Sequence, residues 1–143
     1  MLKDLVGKTA LVTGAGKRSG IGYAIARKLA SLGTQVILAD LGSRPQEQSE
    51  VRTGTQEEME ELAQELKKEF QVRTLAVPVD VTDGDSIRTM IEAVKDRFNK
   101  VEILCNNAGA SFGVPNTVQY YEERAWMKTI DVNLHGVFRV SRA

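Results

Sequence analysis

Residues 13–22, Thr-Gly-Ala-Gly-Lys-Arg-Ser-Gly-Ile-Gly, hold four glycines around two cations and directly follow an apolar run. The chemistry that needs so bare a backbone is anion binding. It requires N–H groups aimed at a phosphate, a helix N-terminus behind them and no Cβ in the way. Gly14 permits the sharp turn, and Gly20 and Gly22 permit close approach at the helix start. The literal Gly-x-Gly-x-x-Gly spacing is not met, because three residues separate Gly16 from Gly20. A P-loop is excluded, since no Gly-Lys-Ser/Thr follows at its spacing. Taken alone, the stretch reads equally well as a tight turn without ligand. Asp40 moves the balance. It lies 20 residues after Gly20, where a carboxylate accepts hydrogen bonds from an adenosine ribose. A capping or solvated Asp is the plainer alternative, and the glycine turn upstream favours the ribose role.

Other chemistry is thinly represented. His135 is the only histidine, which excludes a His-based metal cluster, and Cys105 is the only cysteine, which excludes an internal disulfide. Cys105 sits in the apolar run Val-Glu-Ile-Leu-Cys and reads as strand packing, not as a nucleophile. With 19 basic and 19 acidic residues the formal charge is zero, so neither nucleic acid nor a membrane surface is an expected partner. The N-terminus does not read as a signal peptide, and the expected compartment is the cytoplasm.

These residues need a frame. Lys8 to Gly14 reads as a strand buried on both faces. From Gly20 the period becomes helical, with Ile21, Ala24, Ile25, Leu29 and Leu32 as the apolar stripe and Gly33 as the C-cap. Gln35–Asp40 is a second strand. Residues 42–55 are polar and aperiodic, and a mobile loop is expected there. Met59, Leu62, Leu66 and Phe70 mark a second helix. Val72–Val81 holds a third strand with Pro78 near its end. Ile87, Met90, Ile91, Val94 and Phe98 mark a third helix, capped by Thr82 or Asp83. A fourth strand precedes Asn106. A fourth helix runs from about Tyr121 to the end, with Trp126 as a core anchor and stacking on a cofactor as its alternative. This alternation implies one α/β domain, residues 1–143, with a doubly wound parallel sheet. The glycine turn, Asp40, Asp80 and Asn106–Gly109 all fall at carboxyl ends of strands, the rim where such sheets bind ligands.

Here the chain resembles the N-terminal, dinucleotide-binding part of a short-chain dehydrogenase/reductase. The matching motifs are Thr13-Gly14 with Gly20-Ile21-Gly22, an acidic residue after strand two (Asp40), Asp80-Val81 after strand three, Asn106-Asn107-Ala108-Gly109 after strand four, and Asn133 in the next helix. The resemblance implies a Rossmann-type fold, truncated after the fourth strand and its helix, with strand four beside strand one. It implies an NAD(P)-dependent oxidoreductase moving hydride between nicotinamide and an alcohol or carbonyl substrate. A non-catalytic dinucleotide-binding or assembly module is the alternative.

By the same resemblance, the cofactor contacts fall on Gly14, Arg18, Ser19, Gly20, Ile21 and Gly22 in the turn, and on Asp40 and Leu41. Asp80 accepts from the adenine amino group and Val81 lies beside the ring. Asn107, Ala108, Gly109 and Val132 line the nicotinamide-side ribose. Asn133 supports a water leading to the catalytic lysine. The chain departs from the family in its turn, where five residues, not three, separate Thr13-Gly14 from Gly20. Lys17 and Arg18 sit on this enlargement and face the pyrophosphate, a 2′-phosphate, or solvent. Asp40 favours NAD and the two cations favour NADP. NAD is the expected cofactor, because the strand fixes Asp40 while long cationic side chains can swing away.

The family's proton-transfer pair, a Tyr with Lys four residues later, does not occur. Arg27, Arg124 and Ala125 follow Tyr23, Tyr120 and Tyr121 at that distance. Residues 1–143 alone are therefore expected to be inactive. They are also expected to associate, as a homo-oligomer through the fourth helix or with a missing C-terminal half.

Overall fold

The computed structural model describes residues 3–42 and 53–143. The part of the expected mobile loop that spans 43–52 lies outside the described residues. Four parallel strands form one sheet in the order β3-β2-β1-β4: β1 (Thr9–Thr13), β2 (Gln35–Asp40), β3 (Thr74–Pro78) and β4 (Ile103–Cys105). Thr13 lies opposite Ala39, Asp40 opposite Pro78, and Val12 opposite Cys105, so the carboxyl ends are nearly flush. Pro78 closes β3, where its missing N–H costs no ladder bond.

Alternation along the strands feeds two cores. Ala10, Val12, Val36 and Leu38 pack on α1 (Ile21–Ser31) and α2 (Gln56–Phe70). Leu11, Ile37, Ala39 and Val77 pack on the other side with Ile87, Met90 and Val94 of α3 (Gly84–Lys95). Val140 of α5 (Gly136–Arg142) joins that second core. The result is a sheet with helices on both faces, the doubly wound α/β architecture expected from the sequence.

The apolar stripe of α1 is not the expected one. Ile21 is 75% exposed and Ala24 is exposed, whereas Gly22, Tyr23, Ala26 and Ala30 are buried. Small residues let this helix sit close to β1, and the larger Ile25 and Leu29 pack at its flank.

The fourth helix is three segments: α4 (Glu123–Ile130), a π-helical turn at Asp131–His135, and α5. Asp131 Oδ1 accepts from Arg139 Nη2 at 2.7 Å across the π turn, and His135 Nδ1 lies 3.3 Å away. The Arg139 guanidinium holds the Asp131 carboxyl below its usual range. Trp126 is not a core anchor. It is 53% exposed and pairs edge to face with Tyr121, ring centroids 6.2 Å apart. Only Gly136 and Val140 of α5 are buried, and no residue of α4 is. Cys105 is partly buried, not enclosed, because its short strand forms an edge; burial still pushes its thiol pKa up. Among the described residues no helix is long and apolar enough to cross a membrane.

Candidate dinucleotide site

The rim of the sheet opens into a cleft lined by Gly14, Gly20, Asp40, Leu41, Asp80, Val81, Asn107, Ala108, Gly109 and Val132. The fold thus brings most of the expected contact residues to one place. The cleft also takes in Lys17, Thr53, Val79, Ala110 and Phe112.

One wall is the glycine turn. Gly14 has φ +67° and lies against the second wall, since a Cβ there would stand 2.8 Å from Ala108 Cα. A Cβ on Gly22 would stand 2.3 Å from the Gly14 carbonyl oxygen, so the helix start and the turn are in direct backbone contact. The N-cap of α1 is Gly20, with no side-chain cap and no acidic residue in the first turn. In contrast, α2 is capped by Thr55 and α3 by Asp83. The N–H groups of an uncapped helix start, with the dipole behind them, suit an anion. This is where the residues fit a pyrophosphate.

Asp40 binds the turn from β2. Its Oδ2 accepts from Gly16 N–H at 2.8 Å and its Oδ1 accepts from Leu41 N–H at 2.8 Å. Each oxygen keeps a second lone pair for a ribose hydroxyl. Gly16 must be glycine here, because a Cβ would stand 2.8 Å from Asp40 Cβ. Asp80 Oδ1 is taken by the Thr82 N–H at 2.8 Å and the Thr82 hydroxyl at 2.6 Å, leaving Oδ2 to accept.

The second wall is latched to the first by Asn107 and Thr13. The Asn107 Nδ2 donates to the Thr13 carbonyl at 2.9 Å and the Gly14 carbonyl at 3.0 Å. In return the Thr13 hydroxyl oxygen accepts from the N–H groups of Asn107 at 3.1 Å and Ala108 at 3.0 Å. Asn106 lies outside this latch and donates to Ser141 Oγ at 3.0 Å.

Several expected residues lie elsewhere. The Arg18 guanidinium is turned away from the cleft and paired with Glu65 of α2, at 2.6 and 2.7 Å. Ser19 and Ile21 are exposed outside the cleft lining, and Gly22 serves by packing. Both ends of the Asn133 amide bond to Ala110. Its Oδ1 accepts from Ala110 N–H at 3.0 Å and its Nδ2 donates to the Ala110 carbonyl at 2.6 Å. A Cβ on Gly109 would stand 2.8 Å from Asn133 Oδ1.

Thr53, Gly54 and Phe112 join the site without belonging to any motif in the sequence. A Cβ on Gly54 would stand 1.8 Å from the Gly16 carbonyl oxygen, so the segment entering α2 lies directly on the enlarged turn. The only signal for it is Gly54 itself, near the end of a polar run. Phe112 is held by its N–H to Thr129 Oγ1 at 3.2 Å and by Tyr121, whose hydroxyl donates to the Phe112 carbonyl. Among the described residues no group of three or more His, Cys, Asp or Glu is placed to hold a metal ion.

Comparison with known proteins places this geometry in a family. The chain is 35% identical over 131 residues to the 3-oxoacyl-[acyl-carrier-protein] reductase FabG of Staphylococcus epidermidis, covering 92% of this chain and 47% of that protein. It superimposes on the L-sorbose reductase of Gluconobacter frateurii, solved with NADPH and L-sorbose. The TM-score is 0.79 at 30% identity, covering 99% of this chain and 48% of that one. A short chain dehydrogenase/reductase from Burkholderia phymatum, solved with NAD, gives a TM-score of 0.77 at 30% identity, covering 99% and 44%. The chain thus spans about half the length of the relatives it matches. The family model for short chain dehydrogenases matches residues 8–143, and the chain belongs to that family.

Proposed function

We propose that residues 1–143 are the dinucleotide-binding part of an NAD(H)-dependent oxidoreductase acting on an alcohol–carbonyl pair. The observation that carries this reading is the alignment on one rim of the uncapped α1 N-terminus, the Asp40 carboxylate and the Asn107–Gly109 turn. When bound, the dinucleotide supplies the hydride carrier. The first turn of α1 binds the pyrophosphate, and Asp40 accepts from the adenosine ribose hydroxyls. Asp80 Oδ2 accepts from the adenine amino group beside Val81. Ala108, Gly109 and Val132 border the nicotinamide-side ribose.

Asn133 acts as a positioning residue in this reading. Its amide fixes Ala110, and with it the turn beside Gly109. The proton-transfer pair of the resemblance is not among these residues, so the 143 residues alone bind without turning substrate over. NADH and NADPH titrations, with a carbonyl-reduction assay on the same sample, test the reading. NADH should bind more tightly, and residues 1–143 alone should give no reduction. Failure to bind either dinucleotide would refute the reading.

The same reading includes self-association through the fourth helix. Trp126, Met127, Leu134 and Phe138 are each more than half exposed, and Leu104 on the β4 edge is 38% exposed. Large apolar side chains exposed along one helix and on a sheet edge favour association. Sedimentation velocity should show a dimer or larger species, and Phe138→Asp should shift it toward monomer. A monomer at all concentrations in the parent would overturn this part.

A further inference from the structure

The enlarged turn carries two cations, and only one of them lines the cleft. Lys17 lines the same cleft as Asp40. Arg18 does not. Its Nη1 and Nη2 donate to Glu65 Oε2 and Oε1 at 2.7 and 2.6 Å, a two-pronged pair. Its backbone N–H also donates to Glu58 Oε1 at 3.2 Å. Both acceptors lie on α2, 40 and 47 residues away in sequence.

Arg18 would otherwise have access to the cleft. It lies two residues from Gly16, whose N–H is bonded to the Asp40 carboxylate, and two residues span at most about 7 Å. The guanidinium stem has comparable reach. The pair with Glu65 is half exposed, at 56% and 46%, so water competes for it and it can exchange. A 2′-phosphate would compete for the same guanidinium, because phosphate and carboxylate are both bound bidentately.

We propose that Glu65 is a positioning residue for cofactor choice: it holds Arg18 on α2, away from the 2′-phosphate side of the cleft, and so sharpens the preference for NAD. This rests on the dinucleotide-binding reading above. Asp40 repels the 2′-phosphate from within the cleft, and Glu65 withholds the nearby cation that would attract it. The two carboxylates therefore act in the same direction, Asp40 from β2 and Glu65 from α2.

The test is Glu65→Gln, with NADH and NADPH titrated into parent and variant. The variant should bind NADPH about fivefold more tightly or better, a coupling of ordinary size, and NADH within about twofold of the parent. Adding Arg18→Met to Glu65→Gln should abolish the gain, which a merely structural role for Glu65 would not predict. If both affinities fall together, or the gain survives without Arg18, the inference is overturned while the binding reading stands. If the parent binds neither dinucleotide, the binding reading fails and this inference with it.

Discussion

Asp40→Ala is expected to weaken NADH binding by about 10- to 100-fold while leaving NADPH binding unchanged or improved. The size comes from hydrogen bonds to a charged acceptor, at about 1.5–3 kcal/mol, with each 1.4 kcal/mol worth tenfold. The direction for NADPH comes from removing a negative charge that would face a 2′-phosphate. Asp40 has a second duty, since its Oδ2 accepts the Gly16 N–H. Part of the loss in the alanine variant would therefore come from a slackened turn. Asp40→Asn separates the two contributions, because one amide oxygen can still accept from the turn while the charge is gone. Calorimetric titration of both cofactors into the parent and both variants provides the check. The idea fails if the parent binds NADPH as tightly as NADH, or if Asp40→Ala keeps the parent's preference.

The layout of the fold is legible in the sequence where side chains repeat strongly. Gln35–Asp40 matches β2 end to end, and Ile87, Met90 and Val94 are the buried stripe of α3. The rim is legible because glycines, aspartates and amides gather at or just after the carboxyl ends of the strands. Packing that leaves no apolar signal escapes such a reading. The inner face of α1 is Gly22, Tyr23, Ala26 and Ala30, and a pattern built on large aliphatics reaches only its flank, Ile25 and Leu29. One continuous period does not describe the fourth helix, because the π turn inserts a residue and rotates α5 relative to α4. That turns Gly136 inward, where a Cβ would stand 2.8 Å from Val81 Cγ2, and leaves Phe138 60% exposed. The destination of Arg18 is also hidden, since an ion pair spanning 47 residues has no local signature. For Asn133 the residue is visible but its partner is not. An amide inside an apolar helix announces a hydrogen bond, and only the fold supplies Ala110.

Asn107→Ala is expected to cost about 2–3 kcal/mol of stability, because it strips the donor from two part-buried carbonyls. That corresponds to a fall in Tm of roughly 10 °C for a domain of this size. The reason lies in where the amide sits. The β1–β4 register runs from Ala10 opposite Ile103 to Val12 opposite Cys105, so beyond Cys105 the ladder ends. From there the two walls of the cleft are joined by the Asn107 amide and the Thr13 hydroxyl. The notch that receives the amide is tight, since a Cβ on Gly22 would stand 2.5 Å from Asn107 Nδ2. Asn107→Leu should therefore do more damage than alanine, driving branched carbon against the glycine turn. Thr13 is the other half of the latch and is 1% exposed. Thr13→Val keeps its shape but leaves the N–H groups of Asn107 and Ala108 without their hydroxyl acceptor. Because both changes open the same joint, the double variant should lose less than the sum of the two. Thermal unfolding of the parent, both single variants and the double variant measures this directly. An Asn107→Ala protein that melts with the parent would mean that the walls are held by something else. Strict additivity would mean that Asn107 and Thr13 stabilise them separately.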